Sequence, residues 1–333
     1  MRRTVAIMSA LFILAISVIV FIPALVVTLS QGGQEEKKEE IGELKAYEGP
    51  NIKLYRTEIG ETVNIPLEEY LVGVVAAEMP AKFEVEALKA QAVAARTYTL
   101  RRMQERDQRF NGAHLSDNPD TCQAYYSDDE LQTRWGIASY AHYKSKISRA
   151  VQETAGIVIT HGGDLINPLY HSTCGGKTEN SENVWESHEP YLRSIDCVWG
   201  EDSPRYQESF SFNWSELDRV LGTNLNTLPA SSLNGSSNQV AQVLARTDTG
   251  RVDQISLGGK SFEATELRRL LGLNSTNIRY DINANGIIFH TQGFGHGVGL
   301  CQYGANGQAV DGRTYDQILK YYYKGVSLAK INK

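Results

Sequence analysis

One glutamate of this chain stands in a setting suited to proton transfer. Glu78 lies in the segment Val-Val-Ala-Ala-Glu-Met-Pro, which ends at Pro80 and gives the carboxyl apolar neighbours on both sides. A carboxyl that water solvates poorly has a raised pKa, and the partial negative charge at a helix end disfavours the carboxylate further. Such a pKa suits a general acid. The segment predicts that Glu78 is a general acid/base; the alternative is an ordinary surface glutamate at a helix end.

A second set of polar residues follows on an alanine-rich segment. Lys89, Gln91 and Arg96 stand in Leu-Lys-Ala-Gln-Ala-Val-Ala-Ala-Arg-Thr-Tyr, which ends at Tyr98. On a helix that otherwise packs, polar residues face either water or a cleft. Lys89 and Arg96 are two turns apart and lie on roughly the same side. As a cleft wall they would orient Glu78 or hold substrate oxygens, although a cation close to Glu78 would lower its pKa. The alternative is a solvated helix face.

Residues 170–176, Tyr-His-Ser-Thr-Cys-Gly-Gly, place an imidazole, a hydroxyl and a thiol at the end of a predicted strand. His171 and Ser172 suggest an acyl hydrolase, but the Gly-x-Ser-x-Gly elbow is missing, and adjacency in sequence is not triad geometry. A metal is the other option, with His171, Cys174 and the more distant His188 and Cys197 as ligands. Their spacing matches no zinc pattern, so we predict no metal site.

The most unusual stretch is residues 292–305, Gln-Gly-Phe-Gly-His-Gly-Val-Gly-Leu-Cys-Gln-Tyr-Gly-Ala, called here the Gly/His segment. It follows a predicted strand and enters a helix, as a nucleotide loop does. Its glycines do not fall as Gly-x-Gly-x-x-Gly, and no Gly-Lys-Ser/Thr follows, so neither nucleotide fingerprint is met. The glycines allow the backbone to approach a ligand, with His296, Gln302 and Tyr303 around it. The alternative is a tight structural turn.

Local patterns predict the elements that carry these residues. Two strands at 52–56 and 62–65 turn at Gly60, and Pro66 then opens a helix with apolar residues at i, i+3 and i+4 spacing that ends at Pro80. A longer helix follows at 85–105. A polar excursion is expected at 106–135, a helix near 144–154, strands at 156–160 and 165–172, and a loop at 223–238. A hairpin at 252–262, a short helix at 265–271, a strand at 287–291 and a helix at 315–323 complete the chain. This mixture without regular βαβ alternation predicts an α+β fold.

The N-terminus predicts the compartment. Residues 5–29 contain no charge and are long enough to span a bilayer as a helix. Arg2 and Arg3 precede this run, which places residues 1–4 in the cytoplasm and the bulk of the chain outside. We expect a membrane anchor rather than a cleaved signal peptide, followed by a charged linker at 30–48 and a single globular extracytoplasmic domain at 49–333.

Charge and cysteines narrow the functional class. The formal net charge of the 333 residues is -6, which argues against a nucleic-acid partner and suits a neutral sugar polymer. The four cysteines show no CxxC, so the sequence does not reveal their pairing. Cys174 with Cys197 is the most local possible pair.

Together these motifs resemble the stage II sporulation protein D family, the lytic transglycosylases of endospore-forming bacteria. The resemblance rests on residues 70–80, 86–98 and 170–179 and on the Gly/His segment, in that order. It implies that Glu78 is the catalytic glutamate. It further implies a cleft that is lined by Lys89, Gln91, Arg96, Tyr170, His171, Ser172 and His296. Some family members carry a zinc site in the region of residues 114–123; here His114 and Cys122 supply only two ligands, so we predict no zinc and no cofactor.

The resemblance also implies a reaction and a setting. A protonated glutamate would cleave the MurNAc–GlcNAc bond of glycan strands free of stem peptides and form 1,6-anhydroMurNAc, which requires only one carboxylate. The implied setting is the mother-cell side of the sporulation septum during engulfment, with stage II sporulation proteins P and M as partners. The main alternative is a glycan-binding activator of a cell-wall amidase, because the related amidase-enhancer proteins share much of this pattern. A Ser172/His171 acyl hydrolase is a more distant alternative.

Overall fold

The computed structural model describes residues 49–105, 110, 112–185, 187–227 and 240–331, which belong to one compact unit. The predicted cytoplasmic tip, anchor and linker lie outside the described residues. None of the helices described is both long and apolar enough to cross a bilayer. Helices and several small sheets are mixed along the chain, which confirms the α+β prediction.

The N-terminal elements follow the sequence patterns closely. Strands β1 (Asn51–Arg56) and β2 (Glu61–Pro66) form an antiparallel hairpin, and helix α1 (Leu67–Glu78) begins directly after it. The predicted apolar positions of α1 are all buried. The helix ends because Pro80 restricts the preceding residue, and Met79 is extended at φ -122° and ψ 141°. Glu78 is therefore the last helical residue.

Helix α2 (Val85–Glu105) is the central element of the main core. Apart from Lys89, every side chain from Ala87 to Thr99 is buried. The small alanine side chains let α2 contact neighbours on several sides, and it packs on α1, on helices α3 (Asp128–Glu153), α6 (Gln302–Val310) and α7 (Tyr315–Tyr322), and on strand β4 (Ile157–His161). A helix buried on most of its circumference is typical of a core helix.

The region before residue 144 differs from the prediction. Strand β3 (Leu115–Ser116) pairs with β1, and α3 begins at Asp128, well before the predicted helix at 144–154. A capping box between Ser127 and Glu130 satisfies the first N–H groups of α3. Gly136, at φ 67° and ψ 163°, interrupts its helical geometry. The expected irregular excursion is therefore partly helix.

Short strands surround the 170–176 motif. The predicted strand at 165–172 is two separate strands, β5 (Asp164–Leu165) and β6 (Tyr170–His171), with Pro168, which has no N–H to donate, between them. Strand β6 pairs in parallel with β15 (Leu300–Cys301) of the Gly/His segment, and β7 (Gly176–Lys177) pairs with β8 (Asp196–Cys197). Strand β16 (Ser327–Lys330) joins β4 and β5. These pairings bring together motifs that are far apart in the chain.

A second core lies between the two C-terminal motifs in sequence. It is built from β9 (Gln207–Asn213), α4 (Trp214–Leu221), β10 (Ala241–Arg246), β11 (Val252–Leu257), β12 (Lys260–Glu263), α5 (Ala264–Leu271), β13 (Ile278–Asn283) and β14 (Gly286–Gln292). The hairpin of β11 and β12, which turns at Gly258 and Gly259, confirms the prediction. The C-terminal helix α7 confirms the predicted helix at 315–323 to within one residue.

Candidate active site

Glu78 lies on the wall of a large cleft with both carboxyl oxygens engaged. Its Oε1 accepts a hydrogen bond from the backbone N–H of Ala124 at 2.8 Å, and its Oε2 accepts one from Nε2 of Gln302 at 3.2 Å. Burial raises the pKa of Glu78, and these two hydrogen bonds oppose the rise without cancelling it. A fixed carboxyl with a raised pKa is suited to donate a proton and to take one back.

Gln302 is held in turn by a residue of α2. It is the first residue of α6, it is almost fully buried, and its Nε2 also lies 3.5 Å from Oε1 of Gln91. Gln91 is fully buried, and its own Nε2 has no hydrogen-bond partner. Gln91 therefore supports the residue that contacts Glu78 and does not itself line the cleft. Tyr303, next in the chain, lines the cleft and packs edge-on against Phe83, with ring centroids 4.9 Å apart.

Tyr170 is part of a buried hydrogen-bonded chain beside Glu78. Its hydroxyl donates to Oε1 of Gln123 at 2.8 Å, and Nε2 of Gln123 donates to the hydroxyl of Tyr70 at 3.0 Å and to that of Thr99 at 2.9 Å. The negative charge of Glu78 is one cause that raises the pKa of Tyr170, after burial. Tyr170 therefore stays neutral and supplies a rigid polar wall.

His296 is fixed by backbone groups on both sides of its ring. Nε2 donates to the carbonyl of Tyr170 at 3.0 Å, and Nδ1 accepts from the N–H of Val298 at 3.1 Å. Burial, with repulsion from Arg268, lowers the pKa of His296 to about 4, so the imidazole is neutral. Since both nitrogens are used, His296 presents its ring to the cleft and fastens the Gly/His segment to strand β6.

The backbone of the Gly/His segment lies directly against the backbone of residues 169–174. A Cβ on Gly293 would lie 2.7 Å from the carbonyl oxygen of Thr173, and one on Gly299 would lie 2.1 Å from that of Leu169. Both glycines also have positive φ, at 90° and 74°. Only glycine, which has no Cβ, both fits this close approach and adopts a positive φ without strain. These two glycines therefore serve close packing of the motifs, and the role of the glycines in the approach of a ligand stays a prediction.

The cleft has a volume of about 1010 Å³ and gathers most of the predicted residues. Glu78, Tyr170, His171, Ser172, His296, Gln302 and Tyr303 all line it. His171 and Ser172 do not form a catalytic pair, because Nδ1 of His171 bonds to the carbonyl of Val298 at 3.0 Å and the Ser172 hydroxyl bonds to that of Thr173 at 3.2 Å. The geometry therefore gives no support to an acyl hydrolase.

Besides Gln91, two further residues that were predicted to line the cleft lie elsewhere. Arg96 is fully buried and forms a bidentate pair with Glu68, at 2.8 and 2.6 Å, while it also donates to two backbone carbonyls. Lys89 pairs with Glu86 at 2.8 Å and with Glu153 at 2.6 Å. The prediction that these cations line the cleft is wrong, because both are used to join helices of the core. Neither is therefore a neighbour that lowers the pKa of Glu78.

Two further cleft residues were not predicted. Trp185 is 42% exposed and packs edge-on against His296, with ring centroids 5.0 Å apart. Arg205 lies 4.5 Å from the ring centroid of Phe294, and among the described residues no carboxylate pairs with it. Both come from loops without regular structure, where sequence patterns give little signal. They add an aromatic face and a cation to the cleft.

The structure also shows whether the cysteines are paired and what surrounds His114. All four cysteines are free, so Cys174 and Cys197 are not joined. Nδ1 of His114 accepts from the N–H of Lys53 at 3.1 Å, and Cys122 accepts from the N–H of Ser116 at 3.5 Å. Within the part of the chain described, these two residues belong to no cluster of three potential metal ligands.

Comparisons with known proteins agree with this set of motifs. Residues 55–161 match the family model described as "Stage II sporulation protein". The chain is 40% identical to stage II sporulation protein D of Bacillus subtilis (strain 168) over 84% of this chain and 79% of that protein. It is 38% identical to the protein of the same name from Bacillus amyloliquefaciens, with the same coverage. It is also 30% identical to the amidase enhancer of Bacillus subtilis (strain 168), over 78% of this chain and 40% of that protein. The identity over most of both chains shows that this sporulation protein belongs to the stage II sporulation protein D family.

Proposed function

We propose that this protein is a peptidoglycan lytic transglycosylase that cleaves MurNAc–GlcNAc bonds in glycan strands without stem peptides. The observation that carries the proposal is the setting of Glu78, a carboxyl with a raised pKa held by Ala124 and Gln302 on the wall of a cleft of about 1010 Å³. A cleft of that size accommodates several sugar rings. The resemblance of the motifs to the family supports the same assignment.

The reaction needs one acid that then acts as a base. Protonated Glu78 gives its proton to the glycosidic oxygen as the bond to MurNAc C1 breaks, and GlcNAc leaves with a free 4-hydroxyl. Positive charge develops at C1, and the ionised Glu78 next to it stabilises that charge. The C6 hydroxyl of the same MurNAc then bonds to C1 and returns its proton to Glu78. The product is a 1,6-anhydro ring, and the enzyme regains its starting state.

The other carboxylates of the cleft favour this route over hydrolysis. Glu105 pairs with Arg101 at 3.0 Å and with Arg102 at 2.9 Å. Asp120 is exposed to water, and Glu189 is half-buried, with its Oε1 accepting a hydrogen bond from the hydroxyl of Ser187 at 3.2 Å. A hydrolase pairs its acid with a second carboxylate that activates water or attacks the sugar. Glu78 is half-buried, and it is the carboxyl of this cleft whose pKa burial raises; one such group is sufficient for a transglycosylase.

The test compares the full chain with Glu78→Gln on stem-peptide-free glycan. We expect Glu78→Gln to fold and to lose at least the roughly 10²–10⁴-fold that general acid–base catalysis contributes. Glu69→Gln, an exposed residue of the same helix, is the matched control and should retain full activity. Mass spectrometry separates anhydro ends from reducing ends, which are one water heavier. Anhydro products from Glu78→Gln would refute the assignment, and reducing ends from the wild type would indicate a hydrolase.

A second candidate function is a non-catalytic activator of a cell-wall amidase. The 30% identity to a protein named amidase enhancer supports it. Such a module would bind bare glycan without cutting it, and Glu78→Gln would leave its binding unchanged. Cleavage of purified glycan by the chain alone therefore separates the two functions.

The cellular setting is part of the same proposal. We place the protein on the mother-cell side of the sporulation septum, anchored by one helix at residues 5–29, where it acts during engulfment with stage II sporulation proteins P and M. Removal of stem peptides by protein P would supply its substrate. Membership of a sporulation family supports this setting. Fractionation of sporulating cells, with the chain followed before and after loss of residues 1–29, tests the anchor.

A further inference from the structure

Three buried ligand groups meet behind the wall of the cleft. His171 of strand β6, Cys174 just after that strand, and Cys301 of strand β15 each place a nitrogen or sulfur atom within 4.8 Å of the other two. All three residues are buried. Cys174 and Cys301 are 127 positions apart in the chain, so only the parallel pairing of β6 with β15 brings the group together.

The imidazole of His171 is oriented and has a free nitrogen. Its Nδ1 donates to the carbonyl of Val298 at 3.0 Å, and its Nε2 is buried with no hydrogen-bond partner. His171 is only 4% exposed. A buried polar atom without a partner is uncommon and calls for an explanation. A histidine that donates one N–H to a backbone carbonyl is in the tautomer that metal-ligating histidines use.

The groups around Cys174 and Cys301 are compatible with thiolates that bind a metal ion. Cys301 Sγ accepts from the backbone N–H of Cys174 and from that of Gly304, each at 3.3 Å. Such N–H donors stabilise negative charge on sulfur. Burial nevertheless raises the pKa of the Cys301 thiol, so a bound cation would be needed to hold it as the thiolate. A Cβ on Gly304 would lie 2.2 Å from the hydroxyl of Tyr322, 2.5 Å from Sγ of Cys197 and 3.2 Å from Sγ of Cys301, so the absence of a side chain at Gly304 allows its N–H to approach the thiols closely. Cys197 is adjacent, but its sulfur already bonds to the hydroxyl of Tyr322 at 3.2 Å.

We propose that His171, Cys174 and Cys301 form a site for a thiolate-preferring metal ion such as Zn²⁺. Two thiolates and a neutral imidazole are ligands that zinc accepts, and the two thiol protons would pass to solvent on binding. Tetrahedral zinc holds sulfur ligands roughly 3.8 Å apart, so the group needs to contract by about 1 Å at most. The ion would tie strand β6 to strand β15 and so support the cleft wall that carries Tyr170 and His296.

The test uses the full-length chain, purified in detergent without a polyhistidine tag, reduced and stripped of metal by a chelator. We expect an equimolar amount of Co²⁺ to produce thiolate-to-cobalt charge-transfer absorption in the near ultraviolet, and Zn²⁺ to displace it. Cys174→Ser and Cys301→Ser should each lose this band and weaken Zn²⁺ binding by more than the roughly 10–100-fold that loss of an outer-shell partner causes. Cys122→Ser, the cysteine outside the group, is the matched control and should keep the band.

Zinc should also raise the melting temperature of the wild type and of Cys122→Ser, because an ion that binds only the folded state stabilises it. The proposal is overturned if the wild type shows no charge-transfer band, or if the band survives in Cys174→Ser and Cys301→Ser. It is equally overturned if the chain purified without reductant has a disulfide at Cys174 or Cys301. The wild-type spectrum decides the matter even if a variant fails to fold, and the outcome does not depend on cleavage of glycan.

Discussion

The ionisation of Glu78 reflects two opposing influences. Burial favours the protonated form, whereas the N–H groups of Ala124 and Gln302 favour the carboxylate, and burial is the larger effect. The sequence suggested the raised pKa from apolar neighbours and the helix end. It did not reveal the two donors, which come from residues 46 and 224 positions away. These donors fix the carboxyl in position, which a proton donor requires as much as a suitable pKa.

A prediction on stability follows from the raised pKa of Glu78. The unfolded chain ionises this group near its ordinary pKa of about 4.3, whereas the folded protein keeps the proton to higher pH. The wild type therefore loses stability relative to Glu78→Gln as pH rises between the two pKa values, by about 1.4 kcal/mol for each pH unit in that window. Urea unfolding of both proteins across this range measures the difference. The prediction would be contradicted if the difference in free energy of unfolding between the wild type and Glu78→Gln were the same at all pH values. It would also be contradicted if Glu69→Gln differed from the wild type in the same pH-dependent way.

A second prediction concerns Arg205. MurNAc without its stem peptide ends in a free lactyl carboxylate, so the proposed substrate is anionic and not the neutral polymer that the net charge suggested. Arg205 is a cleft cation without a carboxylate partner among the residues described. Exposed charge pairs contribute about 0.2–1 kcal/mol, so Arg205→Ala should weaken glycan binding by a factor of roughly 1.4 to 5 and reduce its salt dependence. The affinity for glycan is measured at equilibrium at two ionic strengths, with and without Arg205→Ala, in a protein that also carries Glu78→Gln so that the glycan is not cleaved. Arg219→Ala, on the exposed face of α4, is the control, and an equal loss there would exclude a specific role.

Lys89 and Arg96 were predicted to line the cleft but lie in the core, because the sequence does not show which residues they contact. A helical pattern places Lys89 and Arg96 on one side of α2, but it does not say what lies opposite them. In the fold, Arg96 meets Glu68 inside the core and Lys89 bridges to α3. The cation that does line the cleft, Arg205, belongs to a loop with no periodic pattern. The position of a residue on its helix was thus easier to predict than the residues that it contacts.

Elements with strong local signals were predicted almost to the residue. Helix α2 has the predicted bounds, because its alanines and apolar positions repeat at helical spacing over 21 residues. The N-terminal half of α3 was missed because its first turn is acidic and Gly136 interrupts the pattern. A capping box, which depends on Ser127 and Glu130, was the available signal for its start.

The contact between α1 and the segment before α3 leads to a prediction at the scale of elements. A Cβ on Gly73 would lie 2.4 Å from the ring of Tyr125 and 2.5 Å from the carbonyl oxygen of Tyr126. Gly73→Ala should therefore push this segment, and the Ala124 N–H with it, away from Glu78. We expect a loss of about 1–3 kcal/mol of stability, typical of overpacking, although alanine is the better helix former. We also expect lower activity, with an altered pH dependence as the carboxyl loses one donor.

Thermal unfolding and the pH profile of glycan cleavage together measure the effect of Gly73→Ala. Glu69→Ala, on the exposed face of α1, is the control for changes in helix propensity. If Gly73→Ala matches the wild type in both measurements, the segment before α3 adjusts freely and does not position Glu78.

At the scale of the whole molecule, the cleft depends on motifs that two separate cores hold in place. Glu78 ends helix α1, which packs in the main core, whereas residues 207–292, which lead into the Gly/His segment, form the second core. The sequence predicted strands β11, β12 and β14 of the second core but missed β9, β10 and β13. It also did not predict that these strands form a core of their own, because strand patterns do not specify their partners. The meeting of His171, Cys174 and Cys301 was missed for the same reason.

One buried arginine of the second core holds the 170–176 motif and provides the last prediction. Arg251 donates to the carbonyl of Cys174 at 2.6 Å and lies 3.8 Å from Oε2 of Glu179; the two side chains are 4% and 1% exposed. Removing one partner of a buried pair costs about 3–5 kcal/mol, and Arg251→Met should fall at the lower end of that range, because hydroxyl and amide groups still donate hydrogen bonds to Glu179. Adding Glu179→Gln should recover part of that loss, because the buried charge is then gone. Denaturant unfolding of both single variants and the double variant measures this coupling, and purely additive losses would show that Arg251 acts through its bond to Cys174 and not through Glu179.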